Sequence, residues 1–423
     1  MEKYARAIII TIGDEILIGQ ILDTNAQWLC QQLTHLGFEI RKKITIPDNV
    51  ESIVTEIKSA WKNYDLVITT GGLGPTQDDK TVEAVALAFE AKLVYHSEIE
   101  DKLYNFFRKK GLLMSELNKK QAYVPQGFNI LQNEVGTAPG LLKIENKKIL
   151  AIFPGVPLEM KEMFNNQFRS LLKQVYNLNQ VYNKTITTMG IGESALADKL
   201  KEWEQGLPQG VKLAYLPSPG YVRLRLTSSD PSFDSSYLTN KFKKIIPLIS
   251  KYIVALDDFK PEEVLSSFFK KVKLTLATAE SCTGGALSAS IVSIPGSSEF
   301  FKGSVVAYSN EIKQRILGVS SATLSKHGAV SEECVKEMAK GVVEKFASDL
   351  AVSISGIAGP EGGTEDKPVG TVWFCVYYDQ HCFTKKLQLS NLREFNIKSS
   401  VNHAIYLIID VLKQKFDFLN HFD

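Results

Sequence analysis

Short β-rich runs alternate with amphipathic segments from Tyr4 onward, and this alternation limits the possible folds more than any other feature of the chain. Strand, helix, strand in repetition reads as a parallel sheet covered by helices, so the fold class expected is α/β. In the front of the chain, strands are expected at 7–12, 39–46, 65–70 and 148–153, with helices at 24–36, 50–62 and 81–89 and a closing helix over 158–175. An asparagine-rich stretch at 177–183 precedes a smaller α+β pattern: a strand at 184–188, a helix at 193–203 and a hairpin of 211–215 with 221–227. The turn Pro217-Ser218-Pro219-Gly220 supports that hairpin. A second boundary falls near Asp257, and Pro261 suits the first turn of a new helix. Beyond it the pattern gives a strand at 273–278, a glycine turn with a helix at 284–293, and a strand at 303–308. Two helices, a strand at 350–355, paired strands over 370–389 and a long closing helix at 396–416 complete it. Three domains follow: 1–176, 177–256 and 257–423.

A length of 423 residues agrees with that count, at roughly 150 residues per domain. Lys and Arg number 49 against 47 Asp and Glu, a net charge of +2, which leaves no surplus for non-specific nucleic-acid or membrane binding. Five cysteines, far apart and without a CxxC pair, suggest neither a disulfide framework nor structural zinc. The chain reads as reduced and cytoplasmic. The apolar run 7–12 is too short for a signal core, and the apolar stretch 404–412 is broken by Asp410, so no membrane span is expected.

Two constellations carry candidate chemistry. The first, residues 69–81, follows an expected buried strand and precedes a helix. Gly71, Gly72 and Gly74 let the backbone approach a phosphate, and Asp78 and Asp79 are hard oxygen ligands for Mg²⁺ or a similar ion. The alternative is a tight turn with Asp78 capping the helix. A second strand end bears Gly13-Asp14-Glu15, with Asp23-Thr24-Asn25 close behind. Further Gly/Pro-shaped loops lie at 133–140 and 154–160, readable as plain turns.

In the second constellation, Glu280-Ser281-Cys282-Thr283-Gly284-Gly285 sits at a strand-to-helix turn. Helix N–H groups there would stabilise an oxyanion formed by attack of Ser281 or Cys282. The alternative has Ser281 or Thr283 as an N-cap and Cys282 as a small buried residue. None of the six histidines is placed to serve as a base, whereas Tyr308 and Lys313 end a strand and begin a helix that could bring them to Ser281. A lysine serves as a base where desolvation lowers its pKa.

These motifs resemble the CinA family. Gly-Asp-Glu-Ile-Leu-x-Gly-x-x-x-Asp-Thr-Asn, Thr-Gly-Gly-Leu-Gly-Pro-Thr-x-Asp-Asp-x-Thr and Pro-Gly-Val-Pro-x-Glu-Met look like its amino-terminal half, itself similar to molybdopterin-binding proteins. Gly-Ile-Gly-Glu-Ser at 190–194 matches the family's KH-like linker, though no Gly-x-x-Gly loop with basic flanks implies RNA. Ala-Glu-Ser-Cys-Thr-Gly-Gly, Tyr-Ser-Asn-x-x-Lys, His-Gly-Ala-Val-Ser and Ser-Gly-Ile-Ala-Gly-Pro-x-Gly-Gly resemble its carboxy-terminal nicotinamide mononucleotide deamidase domain.

The resemblance implies two activities. In front it implies metal-dependent hydrolysis (Mg²⁺, or Mn²⁺ or Co²⁺) of ADP-ribose to AMP and ribose 5-phosphate. Asp14, Asp78 and Asp79 are then candidate metal ligands, and Gly71, Gly72, Gly74 and Thr76 hold the pyrophosphate, with Asp23, Asn25 and Gly155 beside them. At the back it implies cofactor-free deamidation of nicotinamide mononucleotide, with Ser281 as nucleophile, Lys313 as base and Tyr308 as proton relay or orienter. Thr283, Gly284, Gly285, Asn310, Gly356, Gly359 and Arg393 are candidate substrate contacts. Both substrates are breakdown products of NAD. The rival readings are a nucleotide- or pterin-sensing regulatory protein linked to competence or DNA damage, and an adenylyltransferase-like front domain. The partners expected are small nucleotides, with no nucleic acid or membrane, and the assembly expected is a homodimer. Complete motif sets on both sides of the linker further suggest that a fragment starting near Asp258 folds alone.

Overall fold

The computed structural model describes residues 5–178 and 181–416, so Asn179 and Gln180 of the expected linker lie outside the described residues. The chain forms two compact units, one of residues 1–182 with 229–232 and one of 183–228 with 233–423.

In the first unit a six-stranded sheet runs in the order Glu39–Ile46, Arg6–Ile12, Leu66–Thr70, Lys148–Phe153, Gly140–Glu145, Asn129–Leu131. The first four are parallel, and the last two extend the sheet antiparallel. Leu66–Thr70 is buried along its whole length, as a central strand covered on both faces must be. Helices Thr24–His35 and Val50–Asn63 lie where their apolar spacing predicts, each started by a side-chain cap, Asp23 on the N–H of Ala26 and Asn49 on that of Ser52. The closing helix is not continuous: Pro157–Met163 and Arg169–Val175 flank a π turn at Phe164–Phe168, whose Phe164 and Phe168 are buried against Phe153. Several elements between residues 93 and 145 escape the sequence pattern, the longest being helix Ser97–Lys109 and strand Gly140–Glu145. That strand turns into Lys148–Phe153 through Asn146 and Lys147 at φ 51 and 64, a left-handed pair without the glycine that usually announces such a turn.

The second unit holds two sheets. The smaller runs Val211–Ser218, Tyr221–Ser228, Tyr182–Met189, Ile253–Ala255, and the larger Phe301–Val306, Leu276–Glu280, Leu350–Gly356, Thr371–Tyr378, His381–Gln388. The strand expected at 273–278 begins later because Lys273, at φ 56, is the left-handed cap of helix Pro261–Val272. Three helices, not two, lie between Phe301–Val306 and Leu350–Gly356: Asn310–Leu317, Ser321–His327 and Glu332–Phe346. The long helix Arg393–Lys413 is buried over much of its length, with an apolar run from Ala404 to Leu412 broken only by Asp410 and buried Asn396, Ser399, Ser400 and Asn402 before it.

One hydrophobic core spans both sheets. Met189, Val254 and Ala255 of the smaller sheet pack in a cluster with Val264, Phe268, Ile405 and Ile408. Asn402 Nδ2 donates to the carbonyl of Pro219 at 2.7 Å, and Lys413 Nζ donates to that of Ile253. A fragment starting at Asp258 therefore exposes a face that Met189 and Val254 cover, a loss of about 4 kcal/mol at the usual value of buried side chains. It is expected to melt about 10 °C below a fragment starting at Asn183. Equal melting midpoints by circular dichroism would show that the shared core adds nothing.

Candidate functional sites

The front cavity, of about 470 Å³, lies at the carboxyl ends of parallel strands Arg6–Ile12, Leu66–Thr70 and Lys148–Phe153, the place where open parallel sheets hold ligands. Asn25, Gly71, Gly72, Gly74, Asp78, Asp79 and Gly155 line it, with Glu159 of the 154–160 loop, joined by Asp48 and Gln121, which the sequence motifs do not include. The glycines answer first to the protein's own close approaches. A Cβ on Gly71 (φ 114) would lie 2.1 Å from the carbonyl oxygen of Ile12, one on Gly72 (φ 68) 2.2 Å from Thr81 Oγ1, and one on Gly74 2.5 Å from Asp79 Oδ2.

Asp79 folds this loop: it accepts the N–H of Gly74 at 2.7 Å, the N–H of Thr76 at 2.9 Å and the Thr76 hydroxyl at 2.5 Å. Thr76 is thereby tied to Asp79. Asp78 does not cap the helix Thr81–Ala88, which has no side-chain cap, and it faces the cavity with no partner among the described residues. Asp14 exchanges hydrogen bonds with Asp48, its N–H donating to Asp48 Oδ2 at 3.0 Å and its Oδ1 accepting from the N–H of Asp48. Burial raises the Asp48 carboxyl above its ordinary value, and the charges of Asp14, Glu15 and Asp79 add to this against the hydrogen bond from Asp14. Asp23 caps its helix and accepts the Thr11 hydroxyl at 2.7 Å, so its effect on the cavity is to set Asn25 in place.

No group of three or more His, Cys, Asp or Glu side chains is gathered for a metal among the described residues. Mg²⁺ does not require one, because it is commonly held by one or two carboxylates together with substrate phosphates and water. Asp78, exposed at the cavity and without a partner among the described residues, fits that mode of binding, whereas Asp14 is engaged with Asp48.

Two buried amides in this wall carry unpaired acceptors. Asn25 Nδ2 donates to Thr70 Oγ1 at 3.1 Å and to the carbonyl of Gly155 at 2.7 Å. Thr70 Oγ1 spends its own proton on the carbonyl of Pro154, so the Asn25 amide cannot be flipped, and Asn25 Oδ1 has no partner. Gln121 likewise donates to the carbonyl of Leu73 at 3.3 Å and leaves Oε1 unpaired.

At the back site, strand Leu276–Glu280 ends directly on the turn carrying Ser281, and the side chain of Lys313 reaches it from helix Asn310–Leu317. Lys313 Nζ lies 2.9 Å from Ser281 Oγ, 2.7 Å from the carbonyl of Ala307 and 3.3 Å from that of Tyr308. The two carbonyls can take the two protons of a neutral amine, which leaves its lone pair for the Ser281 hydroxyl. Lys313 is 1% exposed and Ser281 7%, and burial lowers the lysine pKa. Burial also pushes the neighbouring Cys282 thiol up to about 12.

Tyr308 contributes its backbone to Lys313, but its side chain is 61% exposed and its hydroxyl accepts from Arg393 Nη2 at 3.2 Å. Arg393 also donates from Nη1 to the carbonyl of Gly359 at 2.8 Å, so it joins Tyr308 to the loop after strand Leu350–Gly356. Gly359 and Gly356 serve packing: a Cβ on either would lie 2.6 or 2.7 Å from a valine methyl, Val369 or Val372. Asn310 is exposed in the first helical turn, and Gly284 (φ 60) and Gly285 (φ 98) bend the turn after Ser281.

The helix N–H groups expected to await an oxyanion are already taken. Glu280, completely buried, accepts those of Gly285, Leu287 and Ser288 together with the hydroxyls of Thr283 and Ser288. Neither Ser281 nor Thr283 is the N-cap, which is Gly285. Among the described residues of the turn, the N–H groups of Cys282 and Thr283 have no carbonyl or carboxylate acceptor. The sequence signal for Glu280 was its place between strand and nucleophile, where a carboxylate meets a helix start.

A parallel α/β sheet with a glycine-loop cavity, a small KH-like sheet and a third sheet ending on a serine–lysine pair define a multidomain α/β protein with two candidate sites. Three family models match in that order: the probable molybdopterin binding domain over residues 8–174, the damage-inducible protein CinA KH domain over 183–244 and the CinA C-terminal domain over 258–412. The CinA-like protein of Cytophaga hutchinsonii is 42% identical over 98% of this chain and 100% of its own length, and that of Thermotoga maritima is 43% identical over 89% and 91%. Among solved structures, the competence damage-inducible protein A of Klebsiella pneumoniae is 34% identical, covering 37% of this chain and 98% of its own, with a TM-score of 0.36. The chain belongs to the CinA family. No helix among the described residues is long and apolar enough to cross a membrane.

Proposed function

We propose that the back site is an amidase that deamidates nicotinamide mononucleotide to the nicotinic acid mononucleotide, and that the front site hydrolyses ADP-ribose. The observation that carries the first is the buried Lys313 amine 2.9 Å from Ser281 Oγ with two carbonyls to hold its protons. Neutral Lys313 takes the Ser281 proton as Oγ attacks the carboxamide carbon, and the N–H groups of Cys282 and Thr283 are the candidates to receive the oxyanion. Lys313 returns the proton to the departing ammonia, leaving an acyl ester on Ser281. Water then cleaves the ester, its proton passing through the same amine, so one water is consumed and one ammonia released. The Arg393 guanidinium, beside Tyr308, is a candidate cation for the nucleotide phosphate. Coupled measurement of ammonia and of the acid product tests this reading, and wild-type protein that releases neither from nicotinamide mononucleotide would end it.

For the front site, support comes from the strand-end cavity, its glycine loop and the crowded carboxylates. A divalent cation held by Asp78 together with the substrate phosphates and water would supply charge neutralisation for the pyrophosphate. Asp79 keeps the loop around Gly74 and Thr76 in shape to receive that group. Excess EDTA is expected to lower ADP-ribose hydrolysis at least about tenfold and to leave deamidation unchanged. Hydrolysis that persists under chelation would remove the metal from this reading.

The unpaired acceptors of Asn25 and Gln121 await ligand donors such as sugar hydroxyls or a base amine. Gln121→Met, which keeps the length and removes the acceptor, is expected to weaken AMP binding about tenfold by calorimetry. Unchanged affinity would place Oε1 against water only.

A further inference from the structure

Beyond the serine and lysine, the second unit contains one carboxylate built into the nucleophile turn that neither role uses. Glu280 closes strand Leu276–Glu280 one residue before Ser281, and its side chain is completely buried. An ionised carboxylate in such a place is costly unless its lone pairs are filled, and here they are. Oε2 accepts from Thr283 Oγ1 at 2.8 Å, from the N–H of Gly285 at 3.1 Å and from that of Leu287 at 3.0 Å. Oε1 accepts from the N–H of Ser288 at 2.8 Å and from the Ser288 hydroxyl. Five donors drawn from 283–288 thus converge on a residue whose own backbone is fixed in the sheet, paired with Val306 on one side and Ile354 on the other. The turn between them, Ser281 to Gly284, is held at both ends. Its first end is the strand itself, where the N–H of Ser281 donates to the carbonyl of Ile354 at 3.0 Å.

We propose that Glu280 is a positioning residue of the deamidase: it locks the turn so that Ser281 Oγ stays at hydrogen-bond distance from Lys313. This rests on the deamidase reading of the site. Two features separate it from an ordinary helix cap. The carboxylate reaches forward from the strand instead of sitting at the N-cap, so its bonds fix the turn to the sheet and not merely the helix to itself. The turn also contains Gly284 and Gly285 at φ 60 and 98, a backbone with little stiffness of its own. Without the carboxylate the N–H groups of Gly285, Leu287 and Ser288 lose their acceptor, and the turn is free to move by the ångström that alignment with Lys313 does not tolerate.

The experiment compares full-length wild type with Glu280→Gln, Glu280→Asp and Asp349→Asn. Asp349 is the control: it anchors the opposite end of the same strand, accepting from the N–H of Thr275 at 2.7 Å and from its hydroxyl at 2.6 Å, far along the strand from the turn. Glu280→Gln places an amide N–H₂ against donors. It is expected to lower kcat for nicotinamide mononucleotide about 100-fold with KM within about twofold, assayed well below its melting temperature. Glu280→Asp, which keeps the charge, is expected to recover part of the loss. Asp349→Asn is expected to lower the melting temperature with kcat unchanged. Hydrogen exchange should show the amides of 285–288 opening in Glu280→Gln and not in Asp349→Asn. A wild-type kcat in Glu280→Gln overturns the proposal while leaving the deamidase reading intact, as does an equal kcat loss in Asp349→Asn, which would mark general destabilisation. Wild type without deamidase activity overturns both.

Discussion

Ser281→Ala is expected to lower ammonia release from nicotinamide mononucleotide by a factor on the order of 10³ or more, while Cys282→Ala stays within about threefold of wild type. The adjacent thiol is the stronger nucleophile in general, because the thiolate is reached at lower pH than an alkoxide. This site reverses the order. Burial pushes the Cys282 thiol up to about 12, so little thiolate exists near neutrality. Ser281 needs no ionised resting state, since the Lys313 amine at 2.9 Å can take its proton as the bond forms. The measurement is initial-rate ammonia release by both variants, with iodoacetamide inactivation beside it. Rapid inactivation that substrate prevents and Cys282→Ala abolishes would transfer the role to the cysteine.

The strands that bound the front site were readable because buried parallel strands are continuous β-rich runs, as in Leu66–Thr70 and Lys148–Phe153. The hairpin partner Gly140–Glu145 was harder to read, because in the left-handed turn Asn146-Lys147 the asparagine is a usual turn residue but a lysine stands where glycine is expected. The pairing of Ser281 with Lys313, 32 residues apart, was legible from the turn after one strand and the helix that begins after the next. What local pattern could not give was the direction in which side chains point from those ends. Tyr308 belongs to the same segment as Lys313, yet its ring turns out to Arg393 and only its carbonyl faces the amine. Asp78 and Asp79 are adjacent and chemically identical, yet one folds the glycine loop and the other faces the cavity. Glu280 and Gln121 were missed because burial is what makes them informative: a carboxylate filled by five donors and an amide oxygen filled by none look alike in a sequence.

Lys313→Met is expected to lower kcat by a factor on the order of 10³ as well, and the pH dependence makes the cause visible. Methionine matches the length and fills the enclosed site that Lys313 occupies, so packing is retained while the base is lost. In the wild type the amine must be neutral to accept the Ser281 proton, so kcat/KM is expected to rise with pH through the lysine's pKa, which burial lowers below the ordinary lysine value. The residual activity of Lys313→Met should lack that limb. Stability moves with the same group. A lysine whose folded pKa is depressed binds fewer protons in the native than in the unfolded state between the two pKa values, so its contribution is complete above the unfolded pKa and is lost as pH falls through the folded one. The melting temperature of Lys313→Met relative to wild type is therefore expected to increase as pH is lowered below the ordinary lysine value of about 10.4. A variant within tenfold of wild-type kcat, or a wild-type kcat/KM that does not rise with pH, would show that Lys313 only holds Ser281 in place and that the proton goes elsewhere.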